Sequence, residues 1–190
     1  MGFTRAELES FAGTSVPDLI GPGLRLLFVG INPGLWTAAT QTHFAHPGNR
    51  FYPALRGAGI IERDIDRGVG MSDADRAHLF ERGVGISNLA HRATAKASEL
   101  SKEELRDGGE ALRALVRELR PDVVAVAGIT AFRTAFGQPA ATAGRQRERF
   151  ENAELWVVPN PSGLNAHETT ESLAAAYRAP AVAAGVITSD

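Results

Sequence analysis

Apolar positions along this chain come in short unbroken runs rather than in alternation. "LRLLFVG" (24–30), "DVVAVAG" (122–128) and "LWVVPN" (155–160) are rich in Val and Leu and end at Gly or Pro-Asn. Runs of that length and texture predict strands buried on both faces, as in a parallel sheet. "VGISNL" (84–89) is a weaker fourth. Between the runs the pattern turns helical. "SKEELRDGGEALRALVRELR" (101–120) opens on Ser101 with Glu104 three residues on, a capping-box spacing, and stops at Pro121. Gly108 and Gly109 weaken its middle. Further helices are predicted over 49–59, 72–83 and 167–179.

Strands alternating with helices predict an α/β fold: a three-layer α/β/α sandwich around a mainly parallel sheet of four to five strands. With no repeat, low-complexity stretch or linker, residues 1–190 are expected to form a single domain. In such sheets ligands sit beyond the carboxyl ends of the strands. Here those ends read "GINPG", "SNLAHR", "AGIT" and "PNPSGLN". A structural turn needs one or two of the residues in "GINPG"; four together suggest a backbone shaped around a ligand.

Composition narrows the chemistry. Hydrophobic content of 44% and charge of 22% suit a globular protein, and the net charge of −2 gives no global pull toward nucleic acid or membrane. The absence of cysteine excludes thiol catalysis, disulfides and iron–sulfur clusters, and fits a cytoplasmic setting. The five histidines form no HxH or HxxxH pair, so no metal is expected, nor any cofactor. No apolar stretch nears the roughly 20 residues of a membrane span.

In "GINPGLWTAATQTHFAHPGNRF" (30–51), Asn32 is held between Ile31 and Pro33 with its amide toward the crevice. An amide cannot serve as a base near neutrality, but it can hold a water or a ligand carbonyl. The glycines, Gly30 and Gly34 among them, let main-chain N–H groups near Ile31 approach a planar ligand. Phe44 is either a stacking surface for a flat ring or a core plug. In "PNPSGLN" (159–165), Leu164 is an apolar residue that turn chemistry does not require, placed to act as a wedge between base steps. Ser162 and nearby N–H groups are placed to hold a phosphate.

Together, "GINPGL…HFAHPGNRF" and "NPSGLN" resemble the two signature motifs of the mismatch-specific uracil/thymine-DNA glycosylase family within the uracil-DNA glycosylase superfamily. The likeness runs from about residue 21 to 180, with "GISNLAHRAT" (85–94) and "ELSKEELRDGG" (99–109) in the family's order. It implies a monomeric enzyme that flips uracil out of G·U pairs in double-stranded DNA and cleaves its N-glycosidic bond. It implies that Asn32 orients the attacking water and Asn88 touches the base or that water. Phe44 then stacks on the base in a pocket formed with Gly30, Ile31, Gly34, Thr37 and Asn160. Ser162, Gly163, Leu164 and Asn165 form the DNA-binding wedge loop. Thr37, often smaller in relatives, is expected to crowd a thymine methyl. Ala166 stands where some relatives carry Arg. His91 and His167 are expected at the surface. A broader glycosylase for hypoxanthine, xanthine or etheno adducts, and a non-catalytic mismatch binder, are the competing readings.

Overall fold

Alternate residues of the two central strands separate into two cores, and that division sets the architecture. In a computed structural model, which describes residues 2–189, five strands form one sheet. They are β1 (Leu26–Gly30), β2 (Val84–Asn88), β3 (Val123–Ala127), β4 (Gly144–Arg145) and β5 (Glu154–Val158). Their order is β2-β1-β3-β5-β4, and only β4 runs antiparallel. Leu26, Phe28, Val123 and Ala125 face one layer of helices; Leu27, Val29, Val124 and Val126 face the other. All eight are buried, so these strands must be apolar throughout, as their sequence is.

The first layer holds α3 (Phe51–Gly57), α4 (Asp73–Glu81) and α7 (Thr170–Ala183); the second holds α5 (Lys102–Leu119) and α6 (Ile129–Phe136). The expected three-layer α/β sandwich is therefore present. The Ser101 capping box forms: Glu104 N–H donates to Ser101 Oγ at 3.0 Å, and Ser101 N–H to Glu104 Oε2 at 2.8 Å. Two short helices at the N-terminal side, α1 (Arg5–Glu9) and α2 (Leu35–Thr40), were not legible in the hydrophobic pattern, and neither was α6. The α7 helix continues past its predicted end through Pro180 to Ala183, because Pro180 and Ala181 are buried against the core. Among the described residues no helix is long and apolar enough to cross a membrane.

Gly108 and Gly109 do not break α5; they let it approach other backbone. A Cβ at Gly108 would lie 2.0 Å from the Leu89 carbonyl oxygen, and one at Gly109 2.7 Å from that of Ala135. The helix thus rests directly on the chain leaving β2, one residue past Asn88. In an unconstrained helix Gly→Ala stabilises by up to about 1 kcal/mol. Here the sign should reverse. Gly108→Ala is expected to destabilise by about 1–3 kcal/mol through overpacking, read by urea unfolding; a stabilised variant would show that the contact is soft.

Candidate active site

The loop leaving β1 is fastened to the segment leaving β2. Leu89 N–H donates to the Gly30 carbonyl (2.9 Å), Ala90 to that of Ile31 (2.9 Å) and Thr94 to that of Pro33 (3.1 Å). Asn32 stands in the middle of this seam. Its Nδ2 faces three acceptors: the Pro33 carbonyl (3.1 Å), the Arg92 carbonyl (3.1 Å) and Thr94 Oγ1 (2.7 Å). Carbonyls cannot donate, and the Thr94 hydroxyl gives its own hydrogen to the Lys96 carbonyl (2.9 Å). The amide therefore has one permitted orientation, with Oδ1 left as its acceptor, and Asn32 lines the cavity. Arg92 is itself held from α5 through a fork to Glu104 (2.6 and 3.2 Å). That guanidinium, with the Ser101 N–H, holds the Glu104 carboxyl down at about 2.

A second amide is fixed just as tightly. Strand register pairs Gly30 with Asn88 across β1 and β2. A Cβ on Gly30 would lie 2.5 Å from Asn88 Oδ1 and 3.2 Å from Phe44 Cζ, so only glycine leaves room for both side chains. Asn88 Nδ2 meets His43 Nδ1 at 3.2 Å, and His43 Nε2 meets the Pro17 carbonyl at 2.9 Å. The carbonyl accepts, so Nε2 carries the proton and Nδ1 accepts from Asn88. Burial lowers the His43 pKa and keeps the ring neutral, which this relay requires.

Phe44 follows with φ at +56°, a backbone region that costs a bulky residue on the order of 1–3 kcal/mol. The turn places its ring on Phe51, centroids 4.1 Å apart and 26° from parallel. One face is thus stacked in the core, and Phe44 also lines the cavity. Phe44 thus packs on the core through Phe51 and borders the cavity as well.

Across the mouth lies the loop after β5. Tyr177 from α7 donates its hydroxyl to the Pro159 carbonyl (3.0 Å). Asn160 Oδ1 accepts the Ser162 N–H (3.0 Å), and Ser162 Oγ accepts that of Leu164 (3.3 Å). A Cβ on Gly163 would lie 2.5 Å from the Gly48 carbonyl oxygen, so the loop tip abuts the 46–49 turn backbone to backbone. Leu164 projects from that tip and is 93% exposed.

These elements enclose a cavity of about 580 Å³. Gly30, Ile31, Asn32, Gly34, Thr37, Phe44, Asn88, Asn160, Ser162, Gly163 and Leu164 all line it. Asn165 does not. Its Nδ2 donates to the Asn160 carbonyl (3.1 Å) and its Oδ1 accepts the His167 N–H (3.3 Å), so its amide shapes the loop. Thr37 is buried, its Oγ1 accepting the Ala45 N–H at 3.5 Å. His91 pairs with Asp18 (3.0 Å) outside the cavity. Residues the sequence reading passed over are His43 and Thr94, which fix the two amides, and Trp36 and Leu8, which extend the cavity wall. His43 adjoins Phe44 and Thr94 ends "GISNLAHRAT", but nothing local in either stretch signals a partner some 45 or 62 residues away.

A sequence model of the uracil DNA glycosylase superfamily matches residues 17–181. Among solved structures, the chain is similar to the solution NMR structure of a candidate uracil DNA glycosylase from Methanosarcina acetivorans. The TM-score is 0.54 at 18% identity, covering 87% of this chain and 96% of that one, a likeness of fold.

The His43 relay has a pH signature. Neutral His43 contributes stability that is present above its unfolded pKa of about 6.5 and is lost as pH falls toward the lower folded value. His91, raised by Asp18, works in the opposite sense. In wild type, NMR should show His43 as the neutral Nε2–H tautomer at about pH 6.5, the ring's ordinary pKa. In urea unfolding, His43→Gln should flatten the fall in stability below that pH. An imidazolium at His43 at that pH would contradict the relay.

Proposed function

The chain belongs to the uracil DNA glycosylase superfamily, a family of DNA glycosylases, and we propose that it acts on G·U pairs in double-stranded DNA. It flips the uracil out, hydrolyses the N-glycosidic bond and leaves an abasic site. It works as a monomer and a single domain, without cofactor. The observation that carries the reading is the amide of Asn32, held by three acceptors on Nδ2 so that Oδ1 is left to take a hydrogen from water. A water so held has a lone pair free for the sugar carbon as oxocarbenium character develops there.

Asn88 supplies recognition. One Nδ2 hydrogen goes to His43, leaving the second hydrogen and Oδ1 as a donor–acceptor pair. Uracil offers the complement, a carbonyl at position 4 beside N3–H. Cytosine offers an amino group beside a bare N3, which leaves both partners unpaired and carries a penalty of about 1–3 kcal/mol for each. Phe44 stacks on the ring, and Gly30, Ile31, Gly34 and Asn160 close around it, with Thr37 set against the thymine methyl. Among the described residues no carboxylate lines the cavity. Of its two imidazoles, His43 has both ring nitrogens engaged by Asn88 and Pro17, while His46 Nδ1 accepts the Gly48 N–H. On this reading the water is positioned by an amide and not by a carboxylate base. The reaction then depends on the base being a good leaving group, which favours uracil and a low rate. Leu164 enters the stack, and extruding an already mismatched base costs least. Hypoxanthine is a second substrate on this reading, because it presents the same carbonyl and ring N–H to Asn88 and the cavity has room for a purine.

Asn32→Ala should lower single-turnover excision from a G·U duplex by about 10²-fold or more, while duplex affinity changes by less than about threefold. Asn32→Asp should not rescue it, because a carboxylate oxygen would face the Pro33 and Arg92 carbonyls. Wild-type rates in either variant would remove Asn32 from the chemistry.

A further inference from the structure

Arg50 stands at the N-terminus of α3, one residue before the Phe51 ring that stacks on Phe44. Its side chain crosses to the loop that carries Leu164. Nη2 donates to the carbonyls of Ser162 (2.7 Å) and Asn165 (2.8 Å), and Nη1 to that of Glu168. Its backbone N–H donates to the Pro161 carbonyl at 3.0 Å. All four acceptors are main-chain oxygens on one segment, residues 161–168, and Nε is buried without a partner. Among the described residues no carboxylate is paired with the guanidinium; its hydrogen bonds all go to main-chain carbonyls of this one loop, a geometry that suits a planar fork.

We propose that Arg50 is the positioning residue of the wedge. It gathers the carbonyls of residues 162, 165 and 168 onto one planar fork, which fixes the loop with Leu164 at its tip. Because the next residue carries the aromatic support of the base pocket, Arg50 makes wedge entry and base capture one mechanical unit. Gly163 packed backbone to backbone on Gly48 braces the same loop from the side of the 46–49 turn. The inference rests on the glycosylase reading, with the wedge role of Leu164 as its premise. Lysine cannot substitute, since a single ammonium has no rigid fork to span three carbonyls.

The test is a double-mutant cycle of Arg50→Lys with Leu164→Ala, reading single-turnover kcat/KM on a G·U duplex and the fluorescence of 2-aminopurine beside the uracil. Arg50→Lys alone should lower kcat/KM by about tenfold or more, the scale of one charge-assisted hydrogen bond, and should weaken the unstacking signal. In the Leu164→Ala background it should add less than about twofold, since coupled residues are non-additive. Losses that multiply would overturn the proposal. Hydrogen exchange gives a readout independent of activity. Exchange in Arg50→Lys should rise in residues 162–168 and stay unchanged in α3; a uniform rise would show a general stabilising role and overturn it. A wild type that excises nothing would defeat the glycosylase reading, and the exchange result would still decide whether Arg50 holds the loop.

Discussion

Asn32 has two amide hydrogens and three acceptors waiting for them, and most of the site is arranged around keeping that meeting in place. The Pro33 carbonyl is part of its own turn, the Arg92 carbonyl is set by a fork to Glu104 on α5, and the Thr94 hydroxyl is turned by Lys96. One partner belongs to the loop leaving β1 and two to the segment leaving β2, so the amide ties the two strand ends together. A single amide thereby acquires a fixed direction without any charge, in a cavity that no carboxylate of the described residues lines. Asn88 follows the same logic through His43 and Pro17. In both cases a protein carbonyl, which can only accept, decides which way the amide points.

The second constraint is close approach of backbone. Gly30 lies against Asn88 and Phe44, Gly108 against Leu89, and Gly163 against Gly48. The three contacts sit at the floor of the cavity, behind it and at its rim. A methyl group at Gly30 would move the Asn88 and Phe44 side chains, and one at Gly108 or Gly163 would push on the backbone of Leu89 or Gly48. The strain in the Phe44 backbone belongs to the same economy of space, since the left-handed turn is what brings its ring flat onto Phe51.

Much of this was legible in the sequence, for physical reasons that can be stated. Unbroken apolar runs announced strands buried on two faces, and the Ser101–Glu104 spacing announced the start of α5. Asn32, Phe44 and Leu164 stood out because each occurs where a plain turn does not need it. The helices α2 and α6 were missed because each starts directly from a glycine, Gly34 or Gly128, inside a strand end that reads as a loop. The predicted helix over 167–179 stops short of Ala183; α7 runs on because burial of the turn that holds Pro180 outweighs the hydrogen bond its missing N–H would make. His43, Thr94 and Arg50 carry no local signal, because their roles exist only between segments brought together by the fold. Asn165, expected in the DNA-binding loop, makes two amide hydrogen bonds within that loop, to Asn160 and His167.

The central claim is that this cavity breaks a glycosidic bond and does not only hold a mismatch. Its most direct test is to mix excess wild-type protein with a duplex carrying one G·U pair and to assay free base by mass spectrometry. The account predicts release of free uracil, one per duplex, with an alkali-labile abasic site left in the strand. Tight binding of the duplex with the uracil still attached would contradict it.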